Sequence, residues 1–348
     1  MSRMTGIAGF ITGPSDLDEC RAGTDLIGRA EVQAFLRSIT DPDAAMAEVA
    51  ASLESGDVFR AGMMAFVCGV LVERGGTVTV PVDAVLRVME RGLRLAKDYV
   101  VNGGAGAEDE LFADDPDLVR AHHALPFVLL AAMTMLSRDE QARRRLRDRP
   151  HVSPLADELE PHYETLYYIR EVLALLDGRE IMLLDARNRR GFVLGLTGVQ
   201  DRMYHFFALA QDALLRHAGP GYLGADPTDP AAVRYAQNRG LSQQDHQNAG
   251  QLIDRQRLGF HYPGVERGDG GARAVPTLFF PGSASIEDVP VVNGVPTLFL
   301  AEKSINAQWS PANMYPVLHE ALESRVSLRE LPAEAVEGHL SALAAPAG

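Results

Sequence analysis

Asp201, Tyr204 and His205 fall within little more than one turn of an expected helix. Asp201 and His205 are four residues apart and so share a helix face. A carboxylate beside an imidazole fixes its tautomer and raises its basicity, which is the orienting pair of a general base. The plainer reading is an Asp serving the helix N-terminus beside an exposed His. Further along, His261, Tyr262 and Lys303 stand in or beside loops that flank C-terminal strands, where binding residues concentrate. Lys303 is one of only two lysines, the other being Lys97. It follows a strand directly, as an anion contact, a catalytic amine or a solvated end charge would. The candidate catalytic set is therefore Asp201, Tyr204, His205, His261 and Lys303.

Metal ligation finds less support. Glu158, His162 and Glu164 are close in sequence, but Pro161 disturbs their helical spacing. His122 and His123 adjoin, so they point to different faces of a helix. The acids between Glu108 and Asp117 lack the Asp-x-Asp-x-Asp-Gly spacing of a calcium loop. Two cysteines, Cys20 and Cys68, exclude a disulfide framework or a multi-cysteine metal site. There is no Gly-x-x-x-x-Gly-Lys-Ser/Thr loop, no Gly-x-Gly-x-x-Gly after a strand, no His-Glu-x-x-His pair and no nucleophile elbow, and Gly282-Ser283-Ala284-Ser285 does not make one. No cofactor and no metal is expected.

The elements that must position the candidate residues centre on 179–217. Ile181–Leu184 reads as a buried strand, Ala186–Gly191 as a polar hairpin loop and Phe192–Val199 as the return strand. Met203, Phe206, Phe207, Ala210 and Leu214 then make the stripe of an amphipathic helix. That stripe sets Phe206 and Phe207 in a core and leaves His205 off it. Val275–Phe280 and Val295–Leu300 read as further strands, with Asn293-Gly294 as a hairpin turn.

The N-terminal half is expected to be helical. Successive stripes run through Val32–Ile39, Met46–Leu53, Met63–Leu71 and Val82–Ala96. Asp41-Pro42, Asp57 and Asp115-Pro116 supply N-caps, and Pro126 predicts a kink or break. Asn102–Asp117, with three glycines and six acids, reads as an exposed loop. The fold class is therefore α+β. Residues 1–150 form an irregular helical bundle and residues 151–348 a domain with a small, mostly antiparallel sheet flanked by helices. The boundary is placed in the proline-marked stretch 148–154.

Composition narrows the function. Hydrophobic residues make up 46% and charged residues 23% of 348, values of a globular chain. The net charge of −14 repels nucleic acid and anionic membrane. With no secretory signal evident at the N-terminus and no apolar block of membrane-spanning length, a cytoplasmic location is expected. The reading is a non-catalytic scaffold or partner-binding protein, its partner a protein or a small molecule. The alternative is a small-molecule enzyme without a tightly bound cofactor, using acid–base residues of the central helix and C-terminal loops.

Overall fold

The computed structural model describes residues 4–268, 271–280 and 285–344, so Gly282–Ala284 of the elbow-like stretch lie outside the described residues. The chain divides into two compact units, Met1–Leu173 and Ala174–Gly348.

The first unit is helical throughout. It comprises α1 (Met4–Thr12), α2 (Leu17–Ala22), α3 (Ala30–Ser38), α4 (Pro42–Leu53), α5 (Val58–Glu73) and α6 (Val82–Val101). These are followed by α7 (Glu108–Asp114), α8 (Pro116–Arg138), α9 (Glu140–Arg147), α10 (Val152–Leu159) and α11 (Thr165–Leu173). The expected caps are in place. The Asp41 carboxylate accepts from the Asp43 and Ala44 amides, and that of Asp57 from the Phe59 and Arg60 amides. Each satisfies donors that the first helical turn cannot.

α5, apolar on nearly every side, is buried along its length, as is α8 through Met133 and Leu136. Their backbones approach closely because Gly62 faces Ala124: a Cβ at Gly62 would lie 2.7 Å from that methyl. α8 is also long and apolar enough to span a bilayer, but 67% of its apolar window is buried in the unit.

Three expectations are corrected here. Pro126 neither breaks nor ends α8, which runs unbroken from Pro116 to Arg138. Residues 108–114 are not loop but α7, with Glu108 held by Arg21 Nε at 2.8 Å. The third concerns residues 152–173, which belong to the helical unit. Lys97 of α6 bonds Glu158 at 2.8 Å, and Arg147 of α9 donates to the Leu173 carbonyl at 2.8 Å. The compact units therefore divide at Leu173/Ala174 rather than within 148–154.

The second unit contains β1 (Glu180–Asp185), β2 (Arg190–Thr197), α12 (Met203–Ala218), α13 (Pro230–Gln237) and α14 (Gln243–Asn248). Then come β3 (Asp254–Arg255), β4 (Leu258–Gly268), β5 (Gly271–Phe279), β6 (Val291–Val292) and β7 (Val295–Glu302). β8 (Gln308–Trp309), α15 (Pro311–Met314), β9 (Arg325–Glu330) and α16 (Ala333–Ala344) complete it. The main sheet runs β5-β4-β7-β1-β2-β9, with β6 beside β7. Among the described residues only β1 and β7 pair in parallel, so the sheet is mostly antiparallel. The overall class is α+β.

Side chains alternate across this sheet. Ile181, Leu183, Phe192, Leu194, Phe260 and Leu298 pack on the α12 side with Phe206 and Phe207. Met182, Leu184, Val193 and Phe299 pack on the other side with Val336 of α16. Both faces are thus covered, which is why β1 is apolar at successive positions rather than alternating. The Asn293-Gly294 turn has φ of 52° and 80° at its two central residues, as a primed hairpin turn requires.

Candidate functional site

His205 sits in α12 on the side away from solvent, 1% exposed. Its Nδ1 accepts from the Gln200 amide at 3.0 Å, and Nε2 lies 2.7 Å from the Ala236 carbonyl. A carbonyl only accepts, so Nε2 carries the proton and the ring is the neutral Nε2–H tautomer. The ring also stacks on Tyr315, centroids 4.6 Å apart and 16° from parallel. Burial pushes its pKa down to about 4, since the imidazolium would lose its hydration without gaining a counter-charge.

Asp201 does not orient this ring. Its carboxylate accepts from the Ser285 hydroxyl at 2.5 Å and the Ile286 amide at 2.7 Å. It pins the turn at 285–288 to the entry of α12. The expected Asp201–His205 pairing is thereby corrected. A residue preceding the first helical turn is free to turn its side chain outward, so four-residue spacing alone does not join the two.

Tyr204 is half-buried against Trp309, ring centroids 4.8 Å apart. The other candidate histidine, His261, lies elsewhere. Phe260 packs on the α12 side of the sheet, so the next residue along β4 points to the opposite face. His261 Nδ1 lies 3.3 Å from the Thr277 carbonyl, and burial lowers the ring's pKa. Tyr262 packs on Phe280. Lys303 is exposed just past β7, without an ion pair among the described residues. No hydrogen bond or ring contact among the described residues joins His205 to His261, and the five candidates do not converge on one reacting position.

Two other groupings occur in the helical unit. In the first, His122 stacks on Tyr99 at 4.3 Å, and its Nδ1 lies 2.8 Å from the Tyr163 hydroxyl. Burial lowers the His122 pKa to about 4 and raises that of Tyr99 to about 12. Burial also works against ionisation of Glu108, but Arg21 and His123 outweigh it and hold its pKa below the usual value. This cluster ties α6, α7, α8 and Tyr163 together. Among the described residues, no three His, Cys, Asp or Glu side chains gather as a metal would need.

The second grouping is a cleft of about 360 Å³ beside α6. Arg87, Arg91 and Arg94 line it from one face of α6, and Arg149 closes it from the segment after α9. Its floor is apolar, built from Leu53, Val58, Ala61 and Val88. Two carboxylates are present. Glu54 pairs with Arg87, while the buried Glu90 is shared by Arg149 and His151. Arg91 reaches Asp117 at 3.0 Å, and Arg94 is exposed with no partner among the described residues. The sequence carried half of this signal. Positions 87, 91 and 94 recur at helical spacing off the apolar stripe Val82–Ala96, but the floor comes from α4 and α5 and shows no such period.

Comparison of the chain with protein families, with curated proteins and with solved structures finds no match to any of them.

Proposed function

We propose that the chain is a non-catalytic binding protein, one that holds a small molecule or a protein partner without transforming it. The observation that carries this reading is the commitment of both His205 nitrogens to backbone groups inside the core. A general base needs a free lone pair within reach of substrate. Here the Nδ1 lone pair is taken by Gln200 and the other nitrogen is a donor. The acid–base alternative thus loses the residue at its centre, and Asp201, His261 and Lys303 are engaged or placed apart from it. Binding, by contrast, needs only a concave surface with complementary chemistry. The arginine-lined cleft of the helical unit is such a surface. A partner that is neither nucleic acid nor membrane belongs to the same proposal, on the strength of the net charge of −14, and a cytoplasmic location is proposed with it.

A ligand-stabilisation screen on the full chain tests it, since a compound that binds only the native state raises the melting temperature. Each compound that does so is then incubated with stoichiometric protein and recovered. Recovery unchanged, by NMR, supports the binding reading. Conversion that depends on the protein overturns it.

A further inference from the structure

We propose that the cleft beside α6 is a binding site for an oxyanion carried on a compact apolar body, such as a medium-chain carboxylate or alkyl phosphate. This deepens the binding reading above and rests on it for its role, though not for its chemistry. Four guanidinium groups meet two carboxylates in the cleft lining of a chain whose net charge is −14. Positive charge is therefore concentrated here against the overall field.

The arrangement along α6 is costly by itself. Arg87 and Arg91 are four residues apart, and Arg91 and Arg94 three, so neighbouring cations repel along one face. Glu54 and Asp117 each offset one of them, and Arg94 is left uncompensated. Arg149 is not available in the same way, because it pairs with the buried Glu90, 7% exposed, which His151 Nε2 also contacts. Buried carboxylates require such partners. The groups open to an incoming anion are thus Arg94 outright, with Arg87 and Arg91 at the surface beside it. A planar guanidinium matches carboxylate and phosphate oxygens two at a time, which suits either head group.

The floor selects the rest of the ligand. Leu53, Val58, Ala61 and Val88 give the cleft an apolar wall, against which a short alkyl or aromatic body packs and a free inorganic ion does not. The volume of about 360 Å³ lies within the range of small-molecule pockets.

Titration calorimetry of the full chain tests the assignment with four probes: octanoate, octyl phosphate, inorganic phosphate and 1-octanol. One or both amphipathic anions bind a single saturable site, and whichever binds names the head group. Inorganic phosphate and octanol each bind at least about tenfold more weakly, lacking one half of the match. Shortening octanoate two carbons at a time weakens binding about fourfold per methylene removed. Arg94→Gln weakens the binding anion by about tenfold at unchanged melting temperature, and Arg94→Lys restores part of it. The proposal is overturned if neither amphipathic anion saturates a site, if octanol binds as tightly as octanoate, or if Arg94→Gln binds unchanged. Should a bound probe be recovered as a different compound, the non-catalytic reading falls while this assignment stands. A ligand bound unchanged elsewhere, with no anion in this cleft, overturns the assignment and leaves the non-catalytic reading standing.

Discussion

Replacing His205 by alanine is the sharpest way to separate a structural histidine from a chemical one. The change removes a ring that is 1% exposed, strands the Gln200 amide hydrogen and the Ala236 carbonyl, and uncovers the face of Tyr315. Each buried backbone group left without a partner costs about 1–3 kcal/mol, less whatever water enters to satisfy it. The lost ring stacking adds about 0.5–1.5 kcal/mol. A total of about 2.5–7.5 kcal/mol follows before water enters, a range that takes in the roughly 3–5 kcal/mol expected for Phe206→Ala or Phe207→Ala, whose rings are fully buried in the same core. This reverses the small effect expected of an exposed ring off the apolar stripe. Urea unfolding followed by tryptophan fluorescence reads the right unit, because the single tryptophan, Trp309, belongs to that core. If His205→Ala stays within about 1 kcal/mol of the wild type, the ring is not holding the core and the reasoning fails.

Three further outcomes follow from other positions. Gly198 has φ of +65° and faces the Glu323 carbonyl, so Gly198→Ala costs at least about 2 kcal/mol in the same urea assay. The Asp185 carboxylate, fully buried, accepts from the Asn188 amide, the Asn188 side chain and the Tyr222 hydroxyl. Asp185→Ala therefore costs about 2–4 kcal/mol in melts of the variant, and Asp185→Asn costs less. Stability also depends on pH through His205 and His122, whose native pKa values are lowered from 6.5 to about 4. Between these values the unfolded chain binds protons that the native rings refuse. Their contribution is thus complete above about pH 6.5 and is lost as pH falls towards 4, measurable as a declining urea midpoint that flattens in His205→Gln.

The elements with strong period were legible in the sequence because their partners are local. The hairpin at β1 and β2, the helix α12 with Met203, Phe206, Phe207, Ala210 and Leu214 buried, and the Asp41 and Asp57 caps all depend on residues within a turn or two. What failed depended on distant chain. The acids of 108–114 look like a solvated loop by composition. Acids in a first helical turn favour the helix, however, and Glu108 is held by Arg21 from 87 residues away. His205 lies off the α12 stripe, which suggests exposure if only one face is covered. Here the sheet covers one face, while Ala236 at the end of α13 and Tyr315 after α15 cover another. His261 and His205 both lie in the C-terminal half, but His205 is held by Gln200 and Ala236 and His261 by the β4–β5 pairing, long-range placements that no motif expresses.

The central claim is that the most base-like residue of the sequence is a neutral structural group. Nitrogen-15 NMR of the histidine rings in the native full chain tests this directly. The His205 ring is expected to remain the neutral Nε2–H tautomer from pH 8 to pH 5, with no titration, because its pKa is held near 4. A His205 ring that titrates with a midpoint near 6.5, or that carries its proton on Nδ1, would contradict the claim and make the histidine a candidate base again.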